Sequence, residues 1–457
     1  MLSDRGAGIQ YPPTRRRKEV DSSQRLGDAA VFVGVLSTMV VGLWARHGGW
    51  GELLKGDAST LLSLGQLSGL LASLAALFGL SLAGRPRFLE RVVGLDTLLV
   101  WHRWAGGSSA ILLAIHVITE VLGRADTTGF LSTIKAYSGG EAYMALASLG
   151  AIGFAVVSIS SLRSIRRRMP YETWYFIHLL AYASLALAFL HEMYIGVDLS
   201  NDRVAYVFWI TLNVAAFAMA ILGRWGAALV AVLRPLRVTT TRTVAPGITE
   251  VTLTGARIRK LEASPGQFAF LRTLAPGLWW QSHPFSLSSA PNTNNLKFTI
   301  KQLGDASTEY TVLRPGMRVA LEGPYGSITP EHIGTSPVLL VAGGVGVAAV
   351  KSLLEGLPDT ARPVLLYRAR SRADLAHMGE LTETVERLGG SIHTAVGRRN
   401  ELGADPFDPA ELTRTVPGLL QRHVVICGPE SLIRAAARGA KAAGVPTDRI
   451  DHERVWW

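Results

Sequence analysis

The sequence predicts three structural parts: a membrane-embedded bundle of six helices, a small antiparallel β-barrel and a parallel α/β domain. Apolar runs separated by short basic loops fill the chain as far as Leu236. Short segments of alternating apolar and polar residues begin at Arg237. After Pro337, a short apolar strand leads into a glycine-rich turn, which is typical of the start of a parallel α/β domain.

Six apolar runs are long enough, or nearly long enough, to cross a bilayer as helices of about 20 residues. They cover residues 29–45, 60–83, 97–122, 142–162, 171–194 and 204–223. The first run is the shortest and has the length of a signal peptide. We interpret it as a retained span, because no small-residue cleavage site follows it.

The basic residues predict the orientation of these spans. The formal net charge of +11 could suggest a nucleic-acid partner. The lysines and arginines instead concentrate in alternate loops, which the positive-inside rule assigns to the cytoplasm. We therefore expect a plasma-membrane protein with both termini and the whole second half in the cytoplasm, and no nucleic-acid binding. Residues 1–25 are expected to form a disordered basic tail near the lipid headgroups.

Two pairs of histidines lie inside the third and fifth runs. His102 and His116 are fourteen residues apart, and His178 and His191 are thirteen apart. At about 1.5 Å per residue, the members of each pair are roughly 20 Å apart along their helix. The two spans run in the same direction, so His102 should meet His178 near the cytoplasm and His116 should meet His191 near the outside. Imidazole is a good axial ligand for heme iron, and this layout would hold two hemes.

Other interpretations of these histidines stay open. A histidine in a span can form a hydrogen bond between helices, or it can relay protons in a transporter. The thirteen-residue spacing also does not return a helix to the same face at about 100° per residue. We therefore expect a bulge, a kink or early unwinding near His191. The single cysteine, Cys427, excludes an internal disulfide and an iron–sulfur cluster.

The barrel segment contains a candidate flavin-binding motif. Strands are expected at residues 237–243, 248–254, 267–272 and 296–302. His283-Pro284-Phe285-Ser286 lies between the last two and could also be a plain strand with an edge proline. Downstream, glycine and small hydroxyl residues precede an expected helix and would suit a pyrophosphate group. The candidate residues there are Lys301, Gly304, Ser307 and Thr308.

The last domain contains features of a dinucleotide site. A strand at residues 338–342 leads into Gly343, Gly344 and Gly346, where phosphate could approach backbone amides at a helix N-terminus. Three arginines follow the strand at 364–367, where the adenosine ribose is expected. An arginine there could hold the 2′-phosphate of NADPH, which favours NADPH over NADH. A solvated loop would explain the arginines as well. They are Arg368, Arg370 and Arg372.

Together these features resemble the ferric reductase and NADPH oxidase superfamily over nearly the whole chain after residue 25. The resemblance implies that His102, His116, His178 and His191 are heme b ligands. It also implies an FAD site at the 283–286 motif, with Phe285 against the isoalloxazine and Ser286 near its reactive nitrogen. Cys427-Gly428-Pro429, at the end of a strand at 424–427, resembles the family's nicotinamide-facing turn, although Cys427 could be a plain buried residue.

The chain ends in two tryptophans, which are expected to be covered rather than left in water. In the superfamily a terminal aromatic residue covers the flavin until nicotinamide displaces it. The resemblance therefore implies this role for Trp457, with Glu453 hydrogen-bonded nearby. Simple packing of the terminus on the domain is the alternative.

The resemblance implies electron transfer from cytosolic NADPH, through FAD and two bis-histidine hemes, to an acceptor outside the cell. Glu120 stands where superoxide-forming members usually carry a histidine, and Gln66 where they tend to carry an arginine. With Glu192, Glu120 would favour a cation near the outer heme, although Glu120 can also be a simple interfacial carboxylate. A ferric or other metal chelate is therefore the favoured acceptor, with superoxide formation from oxygen as the alternative.

Two other classes remain: a cytochrome subunit that donates electrons to a membrane partner, and a proton-relay transporter, which would need no flavin domain. We recognise no calcium-binding loop or SH3-type motif, so activity without an obligate activator is expected. The expected domains are residues 26–225 for the heme-binding spans, 226–236 for a linker, 237–333 for the FAD barrel and 334–457 for the NADP domain.

Overall fold

A computed structural model of the chain describes residues 22–86, 89–90, 93–137, 142–195, 202–276, 281–302, 313–398, 401 and 403–454. These residues form a helical part, an antiparallel sheet and a parallel sheet covered by helices. The order of the three parts is the one that the sequence predicts.

The helical part contains ten α-helices among the described residues. They are α1 (Ser22–Arg46), α2 (Gly49–Leu53), α3 (Ala58–Ala83), α4 (Leu95–Thr128), α5 (Phe130–Lys135), α6 (Ala142–Ser161), α7 (Arg163–Arg166), α8 (Tyr171–Ile195), α9 (Arg203–Ala220) and α10 (Ala227–Leu233). Helix α3 packs along α4, and α6 packs along α8. Large apolar side chains remain exposed on the outside of these helices, as expected for surfaces that face lipid.

Five helical stretches are long and apolar enough to cross a membrane. They are Ala58–Ala83, Thr97–Thr128, Tyr143–Ser161, Tyr171–Tyr194 and Arg203–Leu233. The apolar stretch of α1, Ala30–Arg46, is shorter than these five. The described structure therefore supports five of the six predicted spans by length and composition.

Three features of the helical part differ from the sequence-based expectations. Helix α1 begins at Ser22, so the last residues of the predicted tail are helical, and residues 1–21 lie outside the described part. Helix α9 continues through a π-helical turn, Ile221–Gly226, into α10, so most of the predicted linker is helical. The bulge or unwinding expected near His191 was wrong, because α8 stays α-helical to Ile195. A broken helical hydrogen bond would leave a polar group unsatisfied in an apolar environment.

The antiparallel sheet has six strands in the order β4-β3-β6-β1-β2-β5. They are β1 (Leu236–Ala245), β2 (Ile248–Thr254), β3 (Phe268–Thr273), β4 (His283–Ser286), β5 (Asn295–Lys301) and β6 (Arg318–Tyr325). A single bridge between Leu287 and Phe298 joins the segment after β4 to β5, the strand at the opposite edge. The two edges therefore approach each other, whereas a fully hydrogen-bonded barrel remains a prediction.

The parallel sheet has five strands in the order β11-β10-β7-β8-β9. They are β7 (Val338–Gly343), β8 (Val364–Ala369), β9 (Ser391–Val396), β10 (His423–Gly428) and β11 (Ile450–Arg454). The helices of this part are α11 (Pro330–Ile333), α12 (Val347–Gly356), α13 (Met378–Arg387), α14 (Pro409–Thr415) and α15 (Glu430–Ala442). Every residue of β7 and β10 is buried, as expected for strands with both faces covered.

A close glycine contact holds the carboxyl-terminal end of α3 and the last span together. A Cβ atom at Gly223 would collide with the carbonyl oxygen of Gly84, which is backbone and cannot rotate away. At Gly226, in the same π-helical turn, the nearest atom would be the carbonyl oxygen of Ile221 at 3.8 Å. This approach sets the position of the last span against α3.

We expect Gly223→Ala to force these helices apart and to lower the unfolding free energy by roughly 1–3 kcal/mol, the usual cost of overpacking. Gly226→Ala is the matched control and should leave the thermal midpoint of the detergent-purified chain unchanged or higher. Equal midpoints for the two variants would contradict this account of the contact.

Candidate functional site

The two inner histidines lie at a separation that suits a shared metal ion. The ring centres of His102 in α4 and His178 in α8 are 5.9 Å apart, with an interplanar angle of 73°. A metal bound at about 2 Å from a ring nitrogen lies roughly 3 Å from the ring centre, so two imidazoles across one ion have centres roughly 6 Å apart. The distance between the rings therefore fits one iron ion between them.

The histidines of α4 are oriented by backbone carbonyls of α3. Nδ1 of His102 lies 2.8 Å from the carbonyl oxygen of Gly79, and Nδ1 of His116 lies 2.8 Å from that of Gly65. A carbonyl can only accept, so each Nδ1 donates its hydrogen. In the neutral ring this leaves the lone pair of Nε2 available for a metal, which is the usual arrangement of a ligating histidine.

The sequence contained a signal for these contacts that we did not use. Gly65 and Gly79 are fourteen residues apart on α3, the same spacing as His116 and His102 on the antiparallel α4. A third glycine, Gly69, leaves room for the outer ring, because a Cβ there would lie 2.7 Å from Nδ1 of His116.

The histidines of α8 have different surroundings. Nδ1 of His178 lies 3.4 Å from Oγ of Ser161, and the ring of Trp174 stacks on His178 at 4.8 Å. Among the described residues, Nδ1 of His191 is buried and has no hydrogen-bond partner. The described structure thus brings the rings of the inner pair together, and the pairing of His116 with His191 remains a prediction.

The two acidic residues expected near the outer heme have different partners in the described structure. Glu120 lies 3.5 Å from Arg124, which supplies a counter-ion. Glu192 accepts a hydrogen bond from Oγ of Ser73 at 3.1 Å, and Ser73 lies between the levels of Gly65 and Gly79 on α3. Glu192 therefore turns towards α3, and the attraction of a cation by Glu120 and Glu192 near the outer heme remains a prediction.

The candidate flavin motif forms β4 at the edge of the antiparallel sheet. Pro284 pairs with Phe270 in β3, and the edge position tolerates a residue that lacks an N–H donor. Phe285 is 4% exposed and belongs to the apolar core of the sheet, whereas His283, Pro284 and Ser286 are half-buried. The roles of Phe285 and Ser286 against a flavin ring remain predictions.

Sequence reasoning missed a set of contacts that fixes the segment after this motif. Nζ of Lys351 donates to the carbonyl oxygen of Ser288 at 2.9 Å, and Oγ of Ser352 donates to that of Ser289 at 2.9 Å. The backbone amide of Ala290 donates to Glu355 at 2.8 Å. Helix α12 of the parallel part thus holds the loop that follows β4.

Lys351 is charged despite its burial. Its side chain is 4% exposed and lies 2.6 Å from Glu355 and 2.9 Å from Glu380. Burial lowers the pKa of Lys351, but the hydrogen bonds and charges of the two carboxylates outweigh this effect and raise it overall. A polar lysine inside the apolar α12 was the available sequence signal.

The glycines of the candidate nucleotide site meet the end of β10. Gly344 has φ +57°, a conformation that favours glycine, and it begins the short turn between β7 and α12. A Cβ at Gly346 would collide with the carbonyl group of Cys427. Gly343, Gly346, Cys427 and Gly428 therefore lie together at the carboxyl ends of adjacent parallel strands, where such folds bind ligands.

Cys427 is buried, and burial raises the pKa of its thiol well above the ordinary value. A thiol in this state is a poor nucleophile. Glu453 lies opposite Cys427 in the ladder between β10 and β11. Pro429 precedes α15 at its N-cap.

The three arginines of the expected 2′-phosphate site have separate environments. Arg368 lies within β8, and its guanidinium donates to the carbonyl oxygens of Ala369, Ala395 and Gly397, so it supports the ends of β8 and β9. Arg370 and Arg372 are exposed beyond the strand. Lys301 ends β5, whereas Gly304, Ser307, Thr308 and Trp457 lie outside the described residues.

The helical part and the antiparallel sheet meet at a buried ionic junction that the sequence did not reveal. Glu322 in β6 is 2% exposed and lies 2.7 Å from Arg224 of the last span and 3.1 Å from Arg272 in β3. Arg85, at the end of α3, places its guanidinium 4.3 Å from the ring centre of Phe270. The junction fixes the sheet against the ends of the helices.

The segment between α3 and α4 also takes part in this junction. Oε1 of Glu90 accepts a hydrogen bond from the backbone amide of Gly326 at 2.9 Å. Leu95, at the start of α4, packs with Phe268 and Tyr325 of the sheet. The helix that carries His102 thus begins in direct contact with the sheet that carries the candidate flavin motif.

Comparison with known proteins supports this division of the chain. Residues 67–189 match the family of ferric reductase like transmembrane components, and residues 248–329 match an FAD-binding domain family. The first match runs from within α3 to within α8 and contains His102, His116 and His178, whereas His191 lies just beyond it. The second match covers β2 to β6 with the 283–286 motif.

Similar proteins include reductases of two kinds. Ferric/cupric reductase transmembrane component 1 of Candida albicans is 26% identical over 301 residues, which are 63% of this chain and 36% of that protein. The reductase component of propane 2-monooxygenase from Mycolicibacterium goodii is 29% identical over 209 residues, 42% of this chain and 59% of that protein. The chain thus spans less than two thirds of the length of these relatives.

Among solved structures, an Amycolatopsis cytochrome P450 reductase matches with a TM-score of 0.42 and 22% identity, over 49% of this chain and 69% of that chain. The helices, the two sheets and the two family matches define a membrane-spanning flavoprotein oxidoreductase. Residues 67–189 are thus similar to ferric reductase like transmembrane components, and residues 248–329 are similar to FAD-binding domains.

We expect Glu322→Ala to destabilise the junction strongly, because it leaves the buried guanidiniums of Arg224 and Arg272 without their counter-ion. Removal of one partner from a buried ionic group costs roughly 3–5 kcal/mol. Glu411→Ala, which removes the partner of the exposed Arg414, is the control and should not shift the melting temperature of the purified chain measurably. Indistinguishable melting curves for Glu322→Ala and the control would show that the junction contributes nothing.

Proposed function

We propose that the chain transfers electrons from a reduced nicotinamide nucleotide in the cytoplasm to a ferric or other metal chelate outside the cell. The observation that carries the proposal is the direct contact between the sheet with the flavin motif and the helix with His102. The resemblance to the ferric/cupric reductase of Candida albicans supports the choice of acceptor.

In the membrane part, His102 and His178 would hold one heme b, and His116 and His191 a second. A heme supplies a one-electron carrier, and two histidines on each iron leave no open position for oxygen. The chain contributes orientation, because Gly79 and Gly65 fix the rings of His102 and His116 through Nδ1. Trp174 restricts the ring of His178 by stacking.

In the cytoplasmic part, residues 283–286 would hold FAD, together with Lys301, Gly304, Ser307 and Thr308. A flavin supplies the conversion of a two-electron donor into single electrons. Gly343, Gly344, Gly346 and Cys427-Gly428-Pro429 would bind the nicotinamide nucleotide, with Trp457 over the flavin ring. Arg370 and Arg372 are the remaining candidates for a 2′-phosphate, which favours NADPH, with NADH as the alternative.

The proposal places six spans in the plasma membrane, with both termini and the two sheets in the cytoplasm. Basic residues at the proposed cytoplasmic ends of the helices, such as Arg163, Arg166 and Arg224, support this orientation. Helix α1 would supply the sixth span, since its apolar Ala30–Arg46 stretch is extended by the preceding helical turns from Ser22.

His102→Ala should remove the inner heme and leave the outer one, because it deletes one of only two axial ligands. The heme content per chain of the purified variant should fall by half in a pyridine hemochromogen assay. His47→Ala is the control, since His47 pairs with Asp202 outside the two histidine pairs. Full heme content in His102→Ala would refute the ligand assignment.

The acceptor is tested with the purified chain and NADPH under two conditions. Without oxygen, a ferric chelate should be reduced rapidly, and no added protein partner should be needed. With oxygen and no chelate, superoxide formation should be slow. Rapid superoxide formation without chelate reduction would overturn the proposed acceptor in favour of an oxidase.

A further inference from the structure

A second group of metal-ligand side chains lies in the parallel part of the chain. His332 lies in α11, His423 begins β10 and Asp451 lies in β11. Nε2 of His332 and Nε2 of His423 are each 2.7 Å from Oδ2 of Asp451. All three candidate ligand atoms lie within 4.8 Å of one another. Two imidazole nitrogens and a carboxylate oxygen therefore converge on one point.

This group is separate from the candidate nucleotide site. His423 and Asp451 stand at the amino-terminal ends of β10 and β11, whereas Cys427 and Gly428 stand at the carboxyl end of β10. Helix α11 follows β6 and precedes β7, so it belongs to the connection between the two sheets. A ligand shared by the three residues would tie that connection to the parallel sheet.

We propose that His332, His423 and Asp451 bind a divalent transition-metal ion, for which Zn²⁺ is the best match. Zinc binds imidazole nitrogen and carboxylate oxygen at about 2.0–2.2 Å, commonly with four ligands. In a tetrahedral site the ligand atoms then lie roughly 3–3.5 Å apart, so the observed 2.7 Å separations need to open only slightly. Magnesium and calcium prefer sites built from oxygen alone.

The exposure of the group allows an ion to enter and to keep a water ligand. The side chains of His332 and Asp451 are 41% and 27% exposed, whereas that of His423 is 11% exposed. The buried His423 would provide one ligand whose position is fixed by its surroundings. The more exposed His332 and Asp451 leave one side of the site open to solvent. A bound water on that side would complete a four-coordinate ion.

A second cluster of candidate metal ligands in the described structure is less suited to bind a cation, because basic side chains already pair with its carboxylates. Glu250, His377 and Glu380 also bring their ligand atoms together. There the carboxylates already pair with cations, since Arg242 contacts both of them and Lys351 contacts Glu380. Within the described residues, the ion pairs of Asp451 are those with His332 and His423, so a metal ion would replace two N–H donors rather than compete with a lysine or an arginine.

The competing explanation is that Asp451 simply accepts hydrogen bonds from both imidazoles. The test measures zinc per chain by equilibrium dialysis of the detergent-purified full-length protein against ZnCl₂, followed by mass spectrometry. The variants are His332→Ala, which changes a partly exposed residue, and Asp451→Asn, which keeps the side-chain shape. The control is His452→Ala, which removes an exposed histidine next to Asp451.

The unmodified protein and His452→Ala should each hold one more zinc ion per chain than His332→Ala and Asp451→Asn. Zinc should also raise the melting temperature of the first two proteins more than that of the other two, and MgCl₂ should not. Equal zinc content in all four proteins would overturn the proposal. Variants that melt earlier without losing a zinc ion would assign the group to hydrogen bonding alone.

Discussion

Hydrogen bonds from two imidazole rings to glycine carbonyls set the geometry on which the rest of the membrane part depends. His102 and His116 each donate from Nδ1 to α3, so the direction of Nε2 is fixed by backbone rather than by a mobile side chain. The donors and the acceptors share the same fourteen-residue spacing along antiparallel helices. One rigid pair of helices thereby presents two ring nitrogens at two depths of the bundle, which is the preorganisation that a metal site requires.

The ionic junction extends this fixed geometry to the sheets. Glu322 is buried between two guanidiniums, and such a charge is tolerated only when its partners keep their places. Arg224 can reach it because glycines allow the last span to cross close to the end of α3. Lys351 and its neighbours then hold the loop after β4 against the parallel part. A continuous series of packed contacts therefore runs from the candidate nucleotide site to His102.

Local sequence patterns predicted much of this architecture. The apolar runs located the membrane helices, and alternation or continuous apolar character located β1, β2, β3, β5, β7, β8 and β10. Strand β9 was missed because half of its residues are polar and none of them is buried, and β11 was missed because it carries charged residues. The contacts of Glu322 with Arg224 and of Lys351 with Ser288 join residues far apart in the chain. No local pattern encodes such pairs, since only the folded chain brings them together.

The central claim is that the four paired imidazoles each bind iron, two to a heme. Electron paramagnetic resonance of the oxidised, purified full-length chain, combined with its iron content, tests this most directly. The account predicts two low-spin ferric signals typical of bis-imidazole coordination and two irons in heme per chain. A high-spin signal as the major species, or a chain that holds no heme when heme supply is ample, would contradict it.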